Sequence, residues 1–158
     1  MKGYPRHFVK VIYATVLGLC ASGLLLAPTT LDLRLDMSVP WRLPGGERTL
    51  IAALHVVLSY FMVILGGALW HVHMRVGWRR RMNLWAGGAL LLALLVLSGT
   101  GVAIFYVGGE LAACYVAVAH LLIGAGLPLL LMAHVSVARV GTRTRLRARA
   151  SNLLPVER

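Results

Sequence analysis

Five histidines lie within or at the ends of two long apolar stretches, three in one stretch and two in the other. His55 and His73 lie at opposite ends of one stretch, with His71 beside His73, and His120 and His134 lie 14 residues apart in another. An ionisable side chain inside a membrane is costly and usually functional. Imidazole is also a common axial ligand of haem iron. The pattern therefore predicts two helices that supply paired histidine ligands, one pair near each side of a bilayer.

The apolar stretches that must position these histidines are long enough to cross a membrane, which takes about 20 residues. Stretches free of Asp, Glu, Lys and Arg predict helices over 8–27, 49–74, 83–107 and 111–138, the first extended past Lys10, whose side chain can reach the interface. A loop over 28–48 and a basic tail over 139–158 complete one domain, 1–158. Short connections make neighbouring helices antiparallel. The predicted fold class is all-α: an integral membrane four-helix up-down bundle. The first stretch exceeds the apolar core of a signal peptide, so it is interpreted as a retained helix.

Composition and charge support a membrane class and set an expected orientation. Of 158 residues, 59% are hydrophobic and 13% charged, and the mean hydropathy is +0.79. The net charge of +11 is confined to clusters beside the apolar stretches, so we expect no nucleic-acid partner. With both termini on one side, that side carries 13 of the 16 basic residues. Basic residues favour the cytoplasm, so both termini are predicted to be cytoplasmic.

Helical counting leaves two candidates for the ligand near the cytoplasmic end of the second helix. His55 and His73 are 18 residues apart and share a helix face, whereas His71 points about 160° away from His55. The distances along the helix axes favour His71 instead. At 1.5 Å per residue, His120 and His134 lie about 21 Å apart, which is closer to the roughly 24 Å from His55 to His71 than to the roughly 27 Å from His55 to His73. We predict His55 paired with His120 and His73 with His134, and keep His71 as the alternative. A distortion of the helix at Gly66–Gly67 would change the directions in which the side chains of His71 and His73 point.

Other residues could support or accompany these ligands. Gly66, Gly67, Gly124 and Gly126 would allow close approach of a macrocycle, or serve ordinary helix packing. Polar candidates to orient the imidazoles are Ser59, Tyr60, Ser98 and Thr100. Arg75, Arg79 and Arg139 could pair with haem propionates, although anchoring to anionic membrane lipids is the favoured role.

Competing chemistries are disfavoured by what the apolar stretches lack. They contain no carboxylate, Cys20 lies on the first helix, and Cys114 lies 20 residues before His134 on the last helix. A tetrahedral zinc site is therefore not expected, and the cysteines are interpreted as buried free thiols. The sequence shows no nucleophile–base pair, so no catalytic residue is predicted.

The chain resembles the bacterial inner-membrane di-haem cytochromes b, the cytochrome b561-like four-helix group. The resemblance rests on four short segments: Leu54-His55, the run from His71 to Trp78, Ala119-His120 and Ala133-His134. It extends from about Thr49 to Arg139. It implies haem b, two per chain or one, and electron transfer between the quinone pool and a redox partner subunit in the bacterial inner membrane. The 16- or 18-residue spacing on the second helix departs from the family's 13–14.

Two functional hypotheses follow. The first is a membrane electron carrier, which would be an electron-transfer subunit of an oxidoreductase rather than an enzyme alone. The alternative is a cofactor-free structural or assembly subunit of a larger membrane complex, which would tolerate loss of His120 and His134.

Overall fold

The computed structural model describes residues 5–151, and this part of the chain is helical with no strand. The helices are α1 (Arg6–Leu35), α2 (Gly45–Leu69), α3 (Arg75–Arg79), α4 (Leu84–Tyr106) and α5 (Glu110–Ser151). A π-helical turn, Trp70–Met74, joins α2 to α3 without a break. The all-α fold class predicted from the sequence is confirmed.

Within residues 5–151, four helical segments are long and apolar enough to cross a membrane: His7–Leu35, Gly45–Leu69, Leu84–Tyr106 and Glu110–Gly141. Their number agrees with the prediction. Large hydrophobic side chains such as Leu17, Phe105 and Leu129 are mostly exposed on the outer faces of the helices. Such a surface is unfavourable in water and suited to lipid tails.

The first helix is longer than predicted, and the loop after it is correspondingly shorter than the predicted 28–48. Pro28 lies inside α1, which continues to Leu35. Membrane helices tolerate an internal proline when the freed backbone groups find other partners. The helix ends at Asp36, whose left-handed backbone (φ 51°) lets its amide donate to the Leu31 carbonyl. An ion pair between Asp32 and Arg42 ties this helix end to the following loop.

The second span is distorted, but not where the sequence suggested. Gly66 and Gly67 lie within regular α2, and the wider turn comes at Trp70–Met74, where the Arg75 amide donates to the Trp70 carbonyl five residues back. Both candidate ligands, His71 and His73, lie within this turn. Counting in α-helical turns therefore gives the directions of these two side chains only approximately.

The last helix extends well past the predicted end at residue 138. Gly109, with φ 89°, forms the tight turn before it, and α5 then continues past Pro128 to Ser151. Much of the predicted basic tail is therefore helical. Residues 152–158, including Glu157 and Arg158, and also Lys2 near the start, lie outside the described residues.

Packing is closest between α1 and α2, between α4 and α5, and between α1 and α5. At the first contact, Leu58 lies against Gly18, where a Cβ would approach the leucine to 3.0 Å. Val16, Met62 and Leu65 form the buried core cluster. The two histidine-bearing helices, α2 and α5, are not among the closely packed pairs, so their side chains meet across a wider gap.

Candidate functional site

The structure brings four histidines together as two facing pairs, one near each end of the bundle. The ring centroids of His55 and His120 lie 6.2 Å apart with an angle of 71° between the planes. Those of His73 and His134 lie 5.9 Å apart at 72°. His55 lies on α2 and His73 on the π-helical turn that continues it, and their partners follow in the same order along α5, so the two spans run parallel. The pairing is the one that the sequence analysis preferred.

His71, the alternative ligand, lies elsewhere. Its side chain is exposed, whereas that of His73 is partly buried. The π-helical turn decides this difference, because it sets the direction of both side chains within five residues. A wider turn also uses more residues for the same advance along the axis. It thereby reduces the mismatch in height between the 18-residue spacing on α2 and the 14-residue spacing on α5.

The ring of His55 is held from behind by the first helix. Ser22, buried on α1, places its hydroxyl oxygen 2.8 Å from Nδ1 of His55. The next residue, Gly23, lies directly against the ring: a Cβ there would stand 3.4 Å from Cε1. A serine–glycine dipeptide thus supplies one hydrogen-bonding group and the space that lets the ring lie close to the backbone.

The ring of His120 is held in the same way by α4. The hydroxyl oxygen of Thr100 is 2.9 Å from Nδ1 of His120. A Cβ on Gly101 would again stand 3.4 Å from Cε1. The two rings of the His55–His120 pair therefore have matching supports on opposite sides of the bundle.

The ring of His134 has a different support. Asn83 adopts a left-handed backbone conformation (φ 51°) just before α4. Its amide nitrogen donates to the His134 carbonyl at 3.0 Å and lies 3.2 Å from Nδ1 of the same residue. Gly87, one helical turn later, gives the ring room, since a Cβ at that position would stand 3.5 Å from Cε1. Among the described residues, no hydrogen bond reaches the ring of His73.

Sequence reasoning found one of these three supporting residues and missed two. Thr100 was among the predicted polar candidates, but Ser59 and Ser98 bond only to carbonyls of their own helices and Tyr60 is exposed. Ser22 and Asn83 were missed. The signal for Ser22 was present, because Ser22-Gly23 repeats the hydroxyl–glycine order of Thr100-Gly101.

The glycines that the sequence analysis named for close approach of a macrocycle do not contact the histidine rings. A Cβ on Gly66, Gly67 or Gly126 would meet no protein atom within 4 Å, and one on Gly124 would meet only Leu97. The glycines that lie against the histidine rings are Gly23, Gly87 and Gly101. Predicting which glycines face the rings required the rotation of helices α1 and α4, which carry no histidine ligand.

The spacing within each pair fits one metal atom. Imidazole nitrogens bind a metal such as zinc at about 2.0–2.1 Å, which would hold two ring centroids on opposite sides of it roughly 6.3 Å apart. Both measured distances are close to this value. Within residues 5–151 there is no cluster of three or more His, Cys, Asp or Glu that could hold a metal ion. Each pair therefore offers two protein ligands.

The arginines considered for haem propionates are all exposed. Arg75 and Arg79 lie on α3 and, with Trp70, Met74 and Trp78, line an open cleft of about 290 Å³. Arg139 is exposed on α5 beyond His134. The two cysteines, Cys20 and Cys114, are free and partly buried.

Comparisons with known proteins give no match: no family model, no curated protein and no solved structure matches this chain.

Proposed function

We propose that the chain is a membrane b-type cytochrome that binds one haem b between His55 and His120 and a second between His73 and His134. The observation that supports this proposal most directly is that two imidazoles from the second span, on α2 and on the π-helical turn that continues it, each face an imidazole of α5. Each pair has the spacing that one metal atom requires. A single close pair of histidines occurs in many folds. Two pairs contributed by the same two spans, near opposite ends of the bundle, favour one common function for the four histidines.

The number of protein ligands favours haem over a bare metal ion. Zinc in a structural site takes four protein ligands, whereas each pair here supplies two. In haem the macrocycle provides the remaining four nitrogens, so two axial imidazoles complete the iron. The glycines beneath three of the four rings fit this role, because each ring can lie close against a helix backbone.

Haem supplies one-electron redox chemistry, and the protein tunes it through the axial ligands, burial and hydrogen bonds. In this chain the histidines would fill both axial positions at each site, so electron transfer is favoured over oxygen binding. The fourteen residues from His120 to His134 advance about 21 Å along α5, which is most of the roughly 30 Å hydrocarbon core of a bilayer. Two sites at this separation would carry electrons across the membrane.

The proposed orientation, membrane and redox partners rest on the distribution of charge and on the family resemblance. Basic residues are concentrated on the side of the termini, which supports cytoplasmic termini and a His73–His134 pair that lies towards the cytoplasm. The exposed Arg75, Arg79 and Arg139 suit contact with anionic lipids. The resemblance supports the bacterial inner membrane, the quinone pool and a redox partner subunit, so the chain would act as one subunit of an oxidoreductase.

The test is the haem content of the full-length chain purified in detergent. A pyridine haemochrome assay should give two haems b per chain, and the optical spectrum should be that of low-spin, six-coordinate iron. The double variant His55→Ala/His120→Ala should retain one haem. A ratio of one in the unaltered chain would remove one of the two sites, and a ratio of zero would favour the cofactor-free structural subunit.

A further inference from the structure

We infer that Ser22 and Thr100 are positioning residues that fix the tautomer of His55 and His120, so that Nε2 of each ring is the nitrogen that binds iron. The inference rests on the proposed function and adds two residues to it. It starts from where the hydroxyl hydrogens go. Ser22 Oγ donates to the Gly18 carbonyl at 2.7 Å, and Thr100 Oγ1 donates to the Val96 carbonyl at 2.7 Å.

A hydroxyl has one hydrogen to donate and two lone pairs that accept. Because each hydroxyl gives its hydrogen to its own helix, it meets the histidine as an acceptor. The Nδ1 atom of His55, 2.8 Å from Ser22, must then carry the ring hydrogen. The same holds for Nδ1 of His120, 2.9 Å from Thr100.

A neutral imidazole with hydrogen on Nδ1 has its lone pair on Nε2. That nitrogen is on the far side of the ring from Ser22 or Thr100. A partner on the non-ligating nitrogen fixes the ring's orientation and raises its basicity, and loss of such a partner typically weakens metal binding by about 10- to 100-fold. A more basic ligand stabilises ferric iron more than ferrous iron, because the ferric ion carries the higher charge.

The clean experiment is at Thr100, where matched substitutions exist. Thr100→Val keeps the shape and removes the hydroxyl, and Thr100→Ser keeps the hydroxyl. Ser98→Ala is the control, because Ser98 is exposed on the same helix and bonds only to the Leu94 carbonyl. Haem affinity would be measured by titrating apoprotein with haem, and the potential of each haem by spectroelectrochemistry. Ser22→Ala tests the other ring.

We expect Thr100→Val and Ser22→Ala each to weaken one of the two haem sites about 10- to 100-fold and to raise its midpoint potential. If ferric affinity falls tenfold more than ferrous affinity, the rise is about 59 mV. Thr100→Ser and Ser98→Ala should match the unaltered chain in both measurements.

A weakened site with an unchanged potential would overturn the inference, since it would indicate only a packing role for the hydroxyl. Unchanged affinity in Thr100→Val would overturn it as well. If the unaltered chain binds no haem, the proposed function fails first and the positioning role fails with it. If it binds two haems and the variants do not differ, the positioning role alone fails.

Discussion

The two histidine pairs have nearly the same ring spacing but differ in what holds the rings. In the His55–His120 pair, both rings meet a hydroxyl and a glycine on a neighbouring helix. In the His73–His134 pair, one ring meets the Asn83 amide, and the other lies in a π-helical turn with no hydrogen bond to it in the described chain. Rings locked by packing and hydrogen bonds bind more tightly than rings that must be ordered on binding. The difference indicates that the rings of the His55–His120 pair are more preorganised for binding a ligand than those of the His73–His134 pair.

The largest expected effect comes from removing a ligand at the less supported pair. His73→Ala should lower the haem content by one per chain, because one axial ligand is lost. His71→Ala is the matched control, two residues away in the same π-helical turn but exposed, and should leave the content unchanged. The pyridine haemochrome ratio measures both. Loss of a haem in His71→Ala but not in His73→Ala would reverse the assignment.

The second-largest effect is expected at Gly101, the glycine that lies against the ring of His120. Gly101→Val should displace the His120 ring, since even a Cβ there stands 3.4 Å from Cε1 and the branched side chain extends further. The haem content should fall towards one per chain, because most of the haem at that site is lost. In the control, Gly99→Val, the same side chain is placed on the same helix where a Cβ meets nothing within 4 Å. Equal haem loss in both variants would mean that valine damages α4 itself, not the ring contact.

A smaller effect is expected from the support of the other pair. Asn83→Gly keeps the left-handed backbone, which glycine adopts freely, and removes the amide that contacts His134. Haem affinity at the His73–His134 site should fall several-fold, because the hydrogen bond that holds the His134 carbonyl is lost, and such a bond contributes about 0.5–1.5 kcal/mol. Haem titration would measure it, with the affinity of the His55–His120 site as the internal reference. A decrease at both sites alike would show that Asn83 serves the fold and not the pair.

The smallest effect is expected beyond both pairs, at the end of α1. Arg42→Gln removes the exposed ion pair with Asp32, and such pairs contribute about 0.2–1 kcal/mol. The free energy of unfolding in detergent should fall by no more than this, with the haem content unchanged. A change in haem content would show that the connection between α1 and α2 also supports the His55–His120 site.

Much of the framework followed from local sequence properties. The four spans, the histidines that could act as ligands and the preferred pairing were all obtained by counting apolar residues and helical turns. What counting did not give was the extension of α1 through Pro28 to Leu35, because a proline and alternating charges resemble a loop in sequence. It also did not locate the π-helical turn, since no residue in Trp70–Met74 marks it.

The sequence by itself determined that this chain is a bundle of membrane-length helices with histidines on two of them, because length and apolar composition are properties of each segment alone. The tertiary structure decided which residues hold the rings. Ser22, Thr100 and Asn83 lie 33, 20 and 51 residues from the histidines they contact. Such contacts depend on how four helices are rotated against one another. That rotation is set by packing between helices, and a local repeat such as Ser22-Gly23 and Thr100-Gly101 does not show which histidine it faces.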